Sequence, residues 1–393
     1  MPWPGLLLII AFALARPECA GAVGWTAYGT ARVDAIIAHW LENSGNRRAP
    51  AISVAVGVSG QLVFARGYGE ARPGLPATEH TVYHIGSLSK QFTAAAILTL
   101  IDRGAKAPRS QELITLATPA QDFFDNVENW DGAGRAAITL RGLLTMTSGL
   151  PSLIEHPPAQ ADPWGAITSA SMLNELRKLP PSGVSSAFAY NNSGYFLLAE
   201  IIEVVSAARV PRSASYADFV KGEVLSIVGL TETGFIGDHA SYRAMRAAVP
   251  SWGRTPAYRR RPVFVEADWL KGAADMASSA ADLFAWNKAL MEDKLLSPAS
   301  RHVMFSDAAR VGPSRYYGMG WFIEHAPGWD WYSHSGYVPG FTSLNMIVRS
   351  SRDRAWISVS LLTNADGVSG LDELSSDIVH AVVRQSGGAA AFR

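Results

Sequence analysis

Short β-branched and apolar runs crowd the two ends of this 393-residue chain and are scarce in its middle, a split that limits the folds open to it. Near the start, residues 51–58 (Ala-Ile-Ser-Val-Ala-Val-Gly-Val) lead through a Ser59-Gly60 turn into residues 61–66 (Gln-Leu-Val-Phe-Ala-Arg). That grammar predicts an antiparallel hairpin. Toward the other end, 320–324, 329–333, 342–348 and 356–362 read as four further strands, parted by Gly, Pro, Asp and Arg-Ser-Ser-Arg-Asp breaks. Residues 371–383 carry apolar side chains at helical spacing and predict a closing helix. In between, 91–101, 170–176, 195–205 and 280–290 are helical patterns joined by Pro-, Gly- and Ser-rich loops, and 32–41 predicts a helix ahead of the first strand. Strands at both ends must pair with each other to bury their apolar faces. The expected fold is α+β: an antiparallel sheet built from both chain ends, flanked by helices, with an inserted, mainly helical subdomain. Residues 23–393 are then one domain, its sheet region about 23–85 and 300–393 and its helical region about 86–299.

Residues 1–22 read as a secretory signal peptide. Leu6 to Ala15 is an apolar run, and Ala20-Gly21-Ala22 is a small-x-small cleavage pattern. The run is half the roughly 20 residues a membrane span requires. No Lys or Arg precedes it and Arg16 follows it, so an uncleaved anchor or a buried N-terminal strand is the alternative. Cleavage would remove Cys19, the only cysteine, leaving no disulfide, thiol nucleophile or Cys-ligated metal in a periplasmic or secreted product. No other run is long and apolar enough to span a membrane. Lys plus Arg equals Asp plus Glu at 34 each, which disfavours a nucleic acid or an anionic membrane surface as partner. A small-molecule or peptide substrate fits better. The nine His are scattered singly, and there is no H-E-x-x-H, G-x-S-x-G, P-loop or G-x-G-x-x-G, so no metal or other cofactor is expected. Oligomeric state has no signal in the sequence.

Three short constellations carry possible chemistry. In Gly86-Ser87-Leu88-Ser89-Lys90, Ser87 and Lys90 lie three residues apart where a helix begins, so both side chains share one face. A serine hydroxyl needs a base within hydrogen-bond reach to act as a nucleophile. Lysine can be that base where burial or a neighbouring cation favours the neutral amine, and the positive end of a helix favours an alkoxide. Tyr190-Asn191-Asn192 precedes a helical run and offers a phenol for proton relay and an amide for a substrate carbonyl. His334-Ser335-Gly336-Tyr337 follows a strand, where a Gly lets substrate approach the backbone and edge N–H groups can form half an oxyanion hole. Each has an ordinary structural counterpart: a capping serine with a solvated lysine, an Asn-rich helix-entry turn, a plain turn.

Taken together, in this order and at these separations, the three resemble the motifs of the serine β-lactamase and penicillin-binding-protein superfamily, in its class C-like branch of β-lactamases, D-Ala-D-Ala carboxypeptidases, D-aminopeptidases and esterases. Supporting segments include Thr147-Ser148-Gly149-Leu150-Pro151, Tyr317-Gly318-Met319-Gly320-Trp321 and 334–341, and the resemblance covers about residues 30–385. It implies catalytic roles for Ser87 (acyl-enzyme nucleophile), Lys90 (activator) and Tyr190 (proton shuttle). It implies substrate binding by Asn192, His334, Ser335 and Gly336, and an oxyanion hole from the backbone N–H groups of Ser87 and Tyr337. Two positions depart from the pattern. His334 stands where class C β-lactamases carry Lys, and His is mostly neutral at pH 7, which weakens carboxylate recognition and argues against efficient β-lactam hydrolysis. Met146 replaces the usual His before Thr147-Ser148-Gly149 and is expected to be structural. The activity implied is hydrolysis of an ester or amide, a D-amino-acid peptide or small acyl ester, through an acyl-enzyme. The alternative is a catalytically silent penicillin-binding-like protein that binds peptidoglycan fragments.

Overall fold

The computed structural model describes residues 25, 27–43, 51–72, 74–125, 127, 138–153, 168–178, 187–209, 215–236, 270–338, 340–365 and 368–385. The signal-peptide and Cys19 readings fall outside them. The strands, in chain order, are β1 (Ile52–Val58), β2 (Gln61–Tyr68), β3 (Glu70–Arg72), β4 (Leu75–Pro76), β5 (Tyr83–His84), β6 (Gly234–Phe235), β7 (Met276–Ser278), β8 (Ala309–Arg310), β9 (Arg315–Tyr317), β10 (Phe322–Ala326), β11 (Trp329–Val338), β12 (Phe341–Ser350) and β13 (Trp356–Thr363). Eight of them form one sheet in the order β2-β1-β13-β12-β11-β10-β9-β8. The N-terminal hairpin adds to the last strand of the chain by antiparallel pairing, with Ile52 opposite Thr363 and Val58 opposite Ile357. The sheet is thus built from both chain ends, as the strand distribution requires.

Every residue of β13 is buried, because both faces of the sheet are covered. On one face Ile357, Val359 and Leu361 pack with Val33 and Ile37 of α1 (Ala27–Asn43) and with Ile378 and Val382 of the C-terminal helix Leu371–Gln385. On the other, Leu362 and Trp356 join a larger core that contains Trp286 of the Ala280–Met291 helix and Phe92 of α2 (Ser89–Asp102). Phe92 stacks on Trp286 with centroids 4.2 Å apart. α2 is buried from Ser89 to Leu100, which is why its sequence is apolar on nearly every side rather than along one stripe.

The helical region adds α3 (Leu140–Leu144), α4 (Ser169–Lys178), α5 (Asn192–Arg209) and α6 (Tyr216–Val220). A small sheet, β5-β7-β6, fastens the chain just before Ser87 to the segment after residue 270. Among the described residues no helix is long and apolar enough to cross a membrane.

Candidate active site

Ser87 lies in a 3-10 turn, Gly86–Leu88, and the α-helix proper starts at Ser89. The sequence alone placed Ser87 at the helix start; the turn is tighter there because it must pass against β11. Gly86 has φ +51°, and a Cβ at that position would come within 2.7 Å of the Tyr337 backbone N, so glycine is needed both for conformation and for space. Gly336 closes the contact from the strand side, since a Cβ there would meet the Ile85 carbonyl at 1.9 Å. Two hydroxyls tie the turn down. Ser343 donates to the Ile85 carbonyl (2.9 Å), and Ser89 donates to the Gly86 carbonyl (2.7 Å) while accepting from the Met276 N–H (3.1 Å).

Lys90 is fully buried. Its Nζ reaches three acceptors: Ser87 Oγ at 3.0 Å, Asn192 Oδ1 at 2.5 Å and the Ala273 carbonyl at 2.9 Å. Three acceptors satisfy an ammonium. A neutral amine keeps two N–H donors and one lone pair; with Asn192 and Ala273 taking the donors, the lone pair faces Ser87 Oγ. The geometry therefore serves both protonation states and, in the neutral one, points the amine lone pair at the Ser87 hydroxyl. The rings of Tyr190 and Tyr195 flank Nζ with centroids at 5.1 and 5.6 Å. Tyr195 is held by its hydroxyl on the Leu144 carbonyl (2.8 Å), and burial pushes its phenol well above the usual range, so it stays neutral.

Tyr190 also donates to Ser87 Oγ, at 2.9 Å. The next two residues divide their duties. Asn191 is buried and performs the helix-entry work: its Oδ1 accepts the Gly194 N–H (2.9 Å) and its amide donates to the Leu150 carbonyl. Asn192, by contrast, faces Lys90. The contact with Lys90 uses the Asn192 Oδ1, whereas the substrate-carbonyl contact expected from the sequence would use its amide NH2. Met146, buried and at φ +58°, accepts the Ala189 N–H (2.9 Å) and so anchors the backbone beside Tyr190, consistent with a structural role.

His334 is 2% exposed, on β11 beneath Tyr190, Tyr317 and Phe322. Its Nδ1 lies 2.6 Å from the Ser335 carbonyl and its Nε2 3.3 Å from the Tyr317 hydroxyl. A carbonyl can only accept, so Nδ1 carries the proton and Nε2 accepts from Tyr317. Burial, followed by the Lys90 charge, pushes the imidazolium down to about 3, so His334 is neutral at working pH. Strand alternation then exposes Ser335 and Tyr337 while Gly336 stays buried; Tyr337 is 57% exposed. The structure thus gathers Ser87, Lys90, Tyr190 and Asn192 into one hydrogen-bonded cluster and sets β11 against the Ser87 turn. Two contributors escaped the sequence reading. The Ala273 carbonyl, 183 positions from Lys90, is backbone and leaves no side-chain signal, and Tyr195 looked like an ordinary apolar helix residue.

A serine and a lysine on one helical turn, a tyrosine hydroxyl on the same serine, and a sheet strand against the turn define a β-lactamase/transpeptidase-like protein. The Beta-lactamase family model matches residues 33–381. The chain belongs to this family, within the serine β-lactamase and penicillin-binding-protein superfamily. It is 27% identical over 309 residues to the putative penicillin-binding protein PbpX of Bacillus subtilis, covering 78% of this chain and 70% of that one. It is 28% identical over 293 residues to penicillin-binding protein 4* of the same organism, covering 71% of this chain and about 60% of the relative's length. In fold it is similar to the octameric penicillin-binding protein homologue from Pyrococcus abyssi (TM-score 0.67, 24% identity, 91% of this chain and 77% of that one). It is also similar to D-amino acid amidase from Ochrobactrum anthropi SV3 (TM-score 0.69, 20% identity, 90% and 99%).

Proposed function

We propose that this protein is a serine hydrolase that forms an acyl-enzyme on Ser87 and cleaves an ester or amide of D-amino-acid or small-acyl character. The observation that carries the proposal is the position of Ser87 Oγ, within hydrogen-bond reach of Lys90 Nζ (3.0 Å) and of the Tyr190 hydroxyl (2.9 Å) at once. Neutral Lys90 takes the Ser87 proton as Oγ attacks the carbonyl carbon. The backbone N–H groups of Ser87 and Tyr337 receive the developing oxyanion. The tetrahedral adduct collapses as the leaving group departs, with its proton supplied through Tyr190, and water then repeats the sequence on the acyl-enzyme.

His334 supports the substrate class proposed. A neutral, buried imidazole offers no cation to a substrate carboxylate, and a buried carboxylate deprived of its charge partner costs about 2–5 kcal/mol, much of it the penalty of standing unpaired. The preferred substrate therefore lacks a carboxylate at that subsite, as an amide or simple ester does. The likeness in fold to a D-amino acid amidase accords with this. A panel of a D-amino-acid amide, a short-chain nitrophenyl ester and a chromogenic cephalosporin, run on wild type and Ser87→Ala, tests it. Amide or ester turnover should exceed cephalosporin turnover by about 30-fold or more in kcat/KM. Cephalosporin turnover equal to the others would overturn the assignment made to His334.

A further inference from the structure

Asp275 belongs to none of the three motifs, yet it is built into the wall of the Lys90 site. It lies two residues beyond Ala273, whose carbonyl accepts from Lys90 (2.9 Å). Its segment is pinned to the nucleophile's helix on both sides: Thr93 donates to the Gly272 carbonyl (2.7 Å), and the Met276 N–H donates to Ser89 Oγ (3.1 Å). The Ile236 N–H holds the Asp275 carbonyl at 2.9 Å. Although the residue as a whole is half-buried, its Oδ1 is inaccessible and, among the described residues, has no hydrogen-bond partner. A buried carboxylate oxygen without a donor is costly unless a nearby cation compensates. Three ionisable neighbours bear on this group: Lys90 from α2, Lys271 from the same turn and the Tyr216 phenol from α6. Lys271 is already committed to Glu200 (2.7 Å) and Glu203 (2.6 Å) of α5. Tyr216 shares a hydrogen bond with Thr93 (2.8 Å), and burial keeps it neutral. Of the two cations Lys271 acts on the Asp275 carboxyl more strongly, but its charge is shared with two glutamates, which leaves Lys90 as the cation beside the Ser87 hydroxyl that the carboxylate can influence.

We propose that Asp275 is a positioning residue for the Ser87 reaction: its carboxylate, within electrostatic reach of the Lys90 amine, favours the ammonium form and so sets the pH at which Ser87 is activated. The proposal rests on the Ser87–Lys90 hydrolase assignment. Desolvation raises the Asp275 carboxyl to about 7, with the Gly272 and Asp275 backbone N–H groups and then the Lys271 and Lys90 charges opposing that rise. Above that pH the anion is present, and by reciprocity it disfavours the neutral amine that must accept the Ser87 proton. Removing the charge should free the base at lower pH.

The test is the pH dependence of kcat/KM for a nitrophenyl ester, measured on wild type, Asp275→Asn and Asp275→Glu, with thermal melting as a check on folding. On the ascending limb above pH 7, Asp275→Asn should shift to lower pH by about one unit, a gain of about tenfold at a fixed pH on the limb. Asp275→Glu should return the limb toward the wild-type position, and Asp275→Ser gives the same readout should the Asn variant fold poorly. A purely structural role would lower the high-pH plateau and leave the limb in place, and that result would overturn the proposal. Failure of the underlying assignment is distinguishable, because it would appear as wild-type activity that survives Ser87→Ala.

Discussion

Lys90→Met should slow acylation of Ser87 by about 10³–10⁴-fold while the protein remains folded. The loss is large because the proposed mechanism draws its base from Lys90 Nζ, which faces Ser87 Oγ and is held by Asn192 and Ala273. The Tyr190 hydroxyl remains on Ser87, but it meets Oγ as a donor and so does not stand ready to take the Ser87 proton. Folding should survive because Met fills a similar volume, and Asp275, whose carboxyl is already raised to about 7, takes up a proton once the neighbouring cation is gone instead of standing as a buried unpaired charge. Against this stand the Asn192 Oδ1 and the Ala273 carbonyl, each left without its donor at about 1–3 kcal/mol. Stopped-flow release of nitrophenolate reads the acylation step, and thermal melting reads the fold. Acylation within tenfold of wild type would remove Lys90 from the mechanism.

Tyr190→Phe should divide substrates by leaving group. The ring stays, and with it the packing over Lys90 at 5.1 Å; only the hydroxyl that meets Ser87 Oγ at 2.9 Å is lost. A nitrophenolate leaves without a proton, so ester turnover should fall by less than about tenfold, whereas an amide must be protonated as it departs and should lose about 10²–10⁴-fold. The ratio of the two losses is the measurement, since it cancels any general disturbance of the site. Equal losses on ester and amide would assign Tyr190 to positioning Ser87 and not to proton delivery.

Much of the fold was legible because strand and helix periodicities are local. The run 356–362 became β13, Trp356–Thr363, and 195–205 became the inner part of α5, Asn192–Arg209. The short pieces were not legible. Strands β8 and β9, and the two- and three-residue strands β5, β6 and β7, are too brief to alternate, and their pairing is dictated by neighbours far away in sequence. In the site, Ser87 and Lys90 could be read because three-residue spacing on a helical turn fixes their proximity. The roles of Asn191 and Asn192 could not be separated, since only the fold decides which amide caps the helix and which meets the lysine. Ala273 contributes a carbonyl that any residue could supply, and Asp275 gains its interest solely from burial near a lysine 185 positions earlier.

The central claim is that Ser87 becomes acylated, and intact-protein mass spectrometry after reaction with a serine-directed fluorophosphonate tests it most directly. The predicted result is a single covalent adduct on folded wild type, mapped by peptide digestion to Ser87 and missing from Ser87→Ala. No adduct on folded protein, or one that persists in Ser87→Ala, would contradict the account and leave a penicillin-binding-like protein that binds without turnover.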